Sequence, residues 1–250
     1  MRLGILGGGR AAWAFGSAWK RIGWPLSGVW LRDESHSHIA ELLETSRLDL
    51  SDLAAGSELL LIAVSDRAIP ECAIAIPDTD AIVFHASGAL TAMRGGFSLH
   101  PLKALPPVGQ PSDLRDTLLV FEGDHKRTAK LIATAVGARF AEISPHQKAL
   151  YHAAAVFGSN YVAASLEIAQ RLMARVGLDD VREDLVALAS SATENWRSHT
   201  DEKRFTGPAV RGDEAVLRSH MDALRNDPQL LQIYELLASE LSGSLLATKK

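Results

Sequence analysis

The sequence predicts an α/β protein: a mostly parallel sheet wrapped by helices over residues 1–143, followed by an all-helical region over 144–250. Three observations carry this reading. Short apolar runs alternate with helical patterns through the first part, a glycine-rich turn joins the first run to the first helix, and helical periodicity dominates after Pro145.

The elements follow in order. Arg2 to Leu6 reads as the first strand and Ala11 to Ile22 as a helix that Gly23 and Pro25 stop before a second extended run, Ser27 to Leu31. Strands also fit Leu59 to Val64, Ala81 to His85, Thr117 to Glu122 and Arg139 to Ile143, with helices at Ser35 to Glu44, Ala68 to Ala75 and His125 to Val136. Four prolines between Pro101 and Pro111 mark a stiff loop. In the helical region, breaks fall at Gly177, Thr206 to Gly212 and Asn226 to Pro228. Asp213 and Asp227 read as helix caps, and Gly243 as a C-terminal stop.

Composition narrows the function. At 47% hydrophobic and 22% charged residues, the chain is excluded from disordered and collagen-like classes. The balance of 26 Lys and Arg against 30 Asp and Glu gives a net charge of -4, which argues against a nucleic-acid partner. One cysteine, Cys72, and a start without the pattern of a signal peptide predict a reducing, cytoplasmic location. Ala149 to Leu166 lacks Asp, Glu, Lys and Arg, but it carries His152, Ser159, Asn160 and two tyrosines, so it predicts one buried helix and no membrane partner.

The turn Gly7-Gly8-Gly9-Arg10-Ala11-Ala12 has the G-x-G-x-x-A form of a dinucleotide-binding turn. The first glycine permits the bend, the second lets a pyrophosphate approach the backbone, and small Ala12 lets helix and strand pack closely. The end of the second strand, Trp30-Leu31-Arg32-Asp33, writes both dinucleotide chemistries side by side: Arg32 suits a 2′-phosphate and favours NADP, while Asp33 suits the ribose of NAD or caps the next helix. Val64, Ser65 and Asp66 follow one strand and Ser87 and Gly88 another. These carboxyl-end turns suit the rest of the cofactor.

GILGGGRAA at the start, FHASGAL (Phe84 to Leu90), SLHPL (Ser98 to Leu102) and FEGD (Phe121 to Asp124) resemble segments of a bacterial family. So do KALYHAAAVFGSNY (Lys148 to Tyr161) and TGPAVRGD (Thr206 to Asp213). These are Rossmann-like proteins with a C-terminal helical domain of unknown function, described as NADP oxidoreductases of the 6-phosphogluconate dehydrogenase-like superfamily. The resemblance implies hydride transfer between NADP and a small carbonyl, imine or hydroxy-acid substrate in an interdomain cleft. A dinucleotide-binding sensor without turnover and a deazaflavin-linked oxidoreductase stand as alternatives. Ala12, where the family usually has glycine, and Asp33 depart from its commonest form and keep NAD open.

Relatives such as 3-hydroxyisobutyrate dehydrogenase place a Lys-x-x-x-Asn pair on the first long helix after the nucleotide domain. Here the pair is Lys148 and His152, which share a helix face about 6 Å apart along the axis. The resemblance implies that Lys148, its pKa lowered by burial, relays a proton with His152. His100, Asn160 and Arg211 are candidate substrate contacts. No ligand spacing predicts a metal site. His220 lies on the apolar stripe of its helix and reads as a core histidine. The apolar helices after Ala149 predict a homodimer through the helical domain.

Overall fold

The computed structural model describes residues 1–32, 36–200 and 204–247, the last four by backbone alone. The chain divides into two compact units, Met1–Tyr161 and Val162–Lys250.

The first unit holds seven strands: β1 (Leu3–Leu6), β2 (Leu26–Trp30), β3 (Leu59–Ile62), β4 (Ile82–His85), β5 (Phe97–Pro101), β6 (Leu118–Gly123) and β7 (Arg139–Glu142). They form one sheet in the order β2-β1-β3-β4-β5-β6-β7. Every neighbouring pair is parallel except β5 with β6, which is antiparallel. Helices α1 (Arg10–Arg21), α2 (His38–Leu42), α3 (Leu50–Gly56), α4 (Ile69–Ala75) and α5 (Lys126–Ala135) connect them, and α6 (Lys148–Phe157) follows the last strand. The sheet ends at Glu142, yet compactness continues to Tyr161, because the Lys148 side chain of α6 reaches back to β5 and β6.

Alternation along the strands sends successive side chains to opposite faces, and each face has its own core. One buries Leu59, Leu61, Phe84, Phe97 and Phe121 with Phe15 and Trp19 of α1 and Ile132 of α5. Phe84 and Phe97, register partners across β4 and β5, stack with centroids 4.9 Å apart, and Phe97 continues to Phe121 at 5.9 Å. The other buries Leu60, Ile62 and Val83 against Leu53 of α3 and Ile69, Cys72 and Ala73 of α4.

Two elements were not expected. β5 carries only five residues between the glycines Gly95 and Gly96 and the proline-rich loop, and its only signal is Phe97 and Leu99 alternating with Ser98 and His100. α3 is seven residues long, too short for helical periodicity to register. In the expected helix Ser35 to Glu44, Ser35 lies outside the described residues and α2 spans the middle.

The second unit contains α8 (Arg182–Ser198), α9 (Pro208–Arg211), α10 (Glu214–Leu224), α11 (Pro228–Ala247) and most of α7 (Asn160–Arg175). Four expectations fail after Lys148. Ala149 to Leu166 is not one buried helix: the chain breaks at Gly158, where Ser159 Oγ donates to the Ala155 carbonyl at 2.6 Å, a back-bond that bends helices. Within that stretch Leu150 and Phe157 are exposed. Gly243 does not stop its helix, since α11 runs on to Ala247. His220 is exposed and bonds to the Tyr234 hydroxyl at 2.7 Å, so it stands off the covered side of its helix, where Leu224 is buried. Asp213 precedes α10 without a side-chain capping bond. Asp227 does cap α11, accepting from the Leu230 amide at 3.2 Å.

Phe97, fully buried between Phe84 and Phe121, should cost about 3–5 kcal/mol on truncation to alanine. Urea unfolding of Phe97→Ala will show a lower midpoint. An unchanged midpoint would contradict the stacked row.

Candidate active site

Gly7 opens the turn after β1 with φ +113°, and a Cβ there would lie 2.5 Å from the Ala63 carbonyl oxygen, so glycine is required on both counts. Its amide donates to the Trp30 carbonyl at 2.9 Å, which closes the bend against β2. A Cβ on Gly8 would lie 2.4 Å from His36 Cβ and 3.2 Å from Leu31 Cδ2. Gly9 stands at the N-cap of α1 with no side chain to cap it, and no acidic residue occupies the first turn. The leading amides of a twelve-residue helix therefore keep their partial positive charge.

A cavity of about 420 Å³ lies over this turn, lined by Gly7, Gly8, Gly9, Arg10, Ala11, Arg32, His36, Val64, Ser65 and Cys72 among others. Burial pushes the Cys72 thiol up, which keeps it protonated. Of the residues expected to hold a dinucleotide, Ala12 is buried behind the turn, and Asp66, Ser87 and Gly88 lie outside the cavity lining. Asp33 lies outside the described residues.

The second cluster sits on the sheet face opposite the phenylalanines. One register step beyond Phe84 and Phe97, His85 pairs with Ser98, and Ser98 pairs with Glu122 on β6. This polar row is buried, with all three residues at 2% exposure or less. His85 Nε2 meets the Thr91 carbonyl at 2.9 Å, and its Nδ1 accepts from the Ser87 amide at 3.2 Å. Burial holds the His85 pKa below the usual imidazole value. Ser87 Oγ accepts from the amides of Ala89 and Leu90 and so shapes the turn after β4.

Lys148 enters the row from α6. It is 2% exposed. Its ammonium donates to Ser98 Oγ and stands 3.8 Å from Glu122 Oε2, while that carboxylate oxygen accepts from the Ala92 amide at 2.8 Å. Burial lowers the lysine to about 8, against the opposing pull of Glu122 and Asp66.

One turn along α6, Tyr151 and His152 stand over the end of β5. His100 Nδ1 lies 2.5 Å from the Tyr151 hydroxyl, and the His100 and His152 rings are nearly perpendicular with centroids 6.0 Å apart. A Cβ added at Gly88 would lie 2.6 Å from His152 Cδ2 and 3.0 Å from His100 Nε2, so a side chain there would push against these rings.

Of the other expected site residues, Asn160 begins α7, where its Oδ1 accepts from Ser159 Oγ at 3.0 Å. Arg211 closes α9 in the second unit and is exposed. Sequence reasoning missed Ser98, Glu122 and Tyr151. Each lies inside a family-like segment, SLHPL, FEGD or KALYHAAAVFGSNY, but a lone serine, glutamate or tyrosine there shows nothing of its partner. Among the described residues no cluster of three or more His, Cys, Asp or Glu could hold a metal, and no helix is long and apolar enough to cross a membrane.

Residues 1–102 match the Rossmann-like domain, and residues 117–241, half of the chain, match the domain of unknown function DUF2520. The chain belongs to the DUF2520 family. Comparison with curated proteins finds no match. Among solved structures, this DUF2520 protein is similar to a Bacteroides fragilis protein provisionally named an NADP oxidoreductase, at 21% identity and TM-score 0.81 over 97% of this chain and 98% of the other. It is also similar to a Thermotoga maritima protein at 22% identity and TM-score 0.76, over 99% and 100%. A reductive aminase from Aspergillus terreus in complex with NADPH aligns at 15% identity and TM-score 0.62, over 100% and 99%. At these identities the likeness extends to the fold.

Lys148→Met leaves the Glu122 carboxylate buried without its cation and should destabilise the DUF2520 protein by about 3–5 kcal/mol. The double variant Lys148→Met with Glu122→Gln, which removes both charges, should recover much of that loss in urea unfolding. If it recovers nothing, the pairing is immaterial. A lysine lowered to about 8 in the fold but normal at 10.5 when unfolded leaves the unfolded chain holding more protons between those values. Its contribution to stability therefore rises with pH across that window and is lost as pH falls through 8. Comparing the pH dependence of unfolding for wild type and the double variant isolates this slope, and identical slopes would contradict it.

Proposed function

We propose that this DUF2520 protein is an NADP-dependent oxidoreductase acting on a small carbonyl, imine or hydroxy-acid substrate. The observation that carries this reading is the uncapped N-terminus of α1 standing over a turn in which Gly7 and Gly8 admit no Cβ, with a cavity directly above. Those amides are placed to receive a diphosphate. Arg32 and Arg10, both on the cavity wall, supply positive charge for a 2′-phosphate, and His36 lies against Gly8 on the same side. A bound nicotinamide dinucleotide supplies the hydride chemistry. The fold likeness to an NADPH-bound reductive aminase and to an NAD+-bound prephenate dehydrogenase supports a nicotinamide dinucleotide cofactor.

The chain's own residues bind, orient and handle protons. The turn from Ala86 to Gly88 and the rings of His100 and His152 form the substrate side of the reading. Lys148 keeps α6 seated on the sheet so that His152 stands over Gly88.

The second unit supports a homodimer. Among its described residues only Leu185 and Leu224 are buried hydrophobics, whereas Leu188, Trp196, Leu236 and Leu237 are more than half exposed. A unit with so little core of its own fits one that a second copy covers. Light scattering should give twice 26.9 kDa at micromolar concentration, and a monomer would overturn this.

Calorimetry with NADPH and NADH tests the cofactor. NADPH should bind the more tightly, and Arg32→Ser should weaken it by about tenfold, roughly 1.4 kcal/mol, while leaving NADH nearly unchanged. Gly8→Val should abolish binding of both. Absence of heat from either coenzyme with the wild-type protein would sink the oxidoreductase reading.

A further inference from the structure

His100 at the end of β5 and Tyr151 on α6 are 51 residues apart in sequence, yet the hydroxyl and Nδ1 lie 2.5 Å apart, with ring centroids at 5.6 Å and planes at 79°. Both side chains are half-buried. The hydrogen between them has two placements. If His100 Nδ1 carried it, the phenol O–H would have no acceptor, since Tyr151 has no second hydrogen-bond partner among the described residues. A half-buried hydroxyl without an acceptor is the costlier arrangement. If Tyr151 donates, the hydroxyl is satisfied and the imidazole proton sits on Nε2.

That nitrogen faces the turn after β4. It lies 3.0 Å from where a Cβ on Gly88 would stand, and among the described residues no protein acceptor meets it. The absence of a side chain at Gly88 thus leaves an N–H donor aimed over the carboxyl end of the sheet, where open parallel sheets bind their ligands.

We propose that His100 delivers a proton from Nε2 to the oxygen or nitrogen of a carbonyl or imine substrate, and that Tyr151 is the positioning residue that locks His100 in the Nε2–H form. The inference rests on the oxidoreductase reading and names the proton source within it. As the substrate carbon receives the hydride of the reduced nicotinamide, the π pair of its C=O or C=N bond moves to the heteroatom. The heteroatom takes the Nε2 proton and Nδ1 takes the Tyr151 proton in the same step; afterwards Nδ1 returns its proton to the phenolate and Nε2 takes one from solvent, which restores the starting form. The imidazole is neutral before and after.

The surroundings support this division. Burial pushes Tyr151 up to about 12, so the phenol is protonated at neutral pH. Burial, with neighbouring His152 and Lys148 adding to it and Asp66 opposing, lowers His100 to about 4, so the imidazole is neutral. A proton held near 12 moves favourably to an alkoxide or amide anion, which is more basic. Lys148, expected as the proton donor, holds its ammonium against Ser98 and Glu122.

Nitrogen-15 NMR of the full-length, coenzyme-free protein reads the His100 ring directly. The wild type should show protonated Nε2 and unprotonated Nδ1, and Tyr151→Phe should yield a tautomer mixture. In NADPH oxidation with a carbonyl and imine panel, Tyr151→Phe and His100→Asn should each lower kcat by about 100-fold with NADPH affinity unchanged by calorimetry. A wild-type ring protonated on Nδ1, a Tyr151→Phe ring identical to wild type, or unaltered kcat in both variants would each overturn the assignment. Failure of the wild type to bind NADPH would instead remove the oxidoreductase reading and the proton-delivery role with it, whatever the ring nitrogens show.

Discussion

A primary ammonium taken out of water must find partners, and Lys148 finds them on the sheet. Ser98 and Glu122 are register partners on antiparallel strands, so their side chains emerge side by side on one face and present a hydroxyl and a carboxylate to one cation. Everything at the end of β5 depends on this insertion. It fixes the first turn of α6, and Tyr151 and His152, three and four residues on, are thereby carried to His100 and Gly88.

The polar row exists because the sheet divides its labour by face. On β4, β5 and β6 the positions adjacent to His85, Ser98 and Glu122 are Phe84, Phe97 and Phe121, and those rings are buried in the opposite core. A slip of one residue would exchange the two sets and bury the charges among the rings. The stacking of Phe84 on Phe97 therefore sustains the site as much as the fold. The antiparallel pairing of β5 with β6 matters for the same reason: it brings Glu122, from a strand running the other way, level with Ser98.

The glycine turn solves a different problem. Gly7 and Gly8 have no room for side chains because Ala63 and His36 stand where a Cβ would lie, and α1 begins without a side-chain cap because Gly9 has none. Gly88 leaves room in the same way at the end of β4, two strands from β1, where two imidazoles stand. Two strand ends of one sheet thus carry an uncapped helix start and a pair of imidazoles, the two features on which the proposed hydride chemistry is built.

The glycine turn, the alternation of strands and helices, and the placing of Lys148 and His152 on one helix are legible in the chain because each is a local pattern: backbone geometry and helix spacing act over a few residues. β5 was not legible, because five residues ending in Pro101 look like loop until β6 pairs with them. The break at Gly158 is not legible because Ser159 bends the helix through its own hydroxyl, a choice periodicity does not encode. Tyr151 gained its meaning only from His100, and Lys148 only from Ser98 and Glu122, each some 25 to 50 residues away. Contacts at that separation are set by strand register and helix placement, which no local pattern in the chain contains.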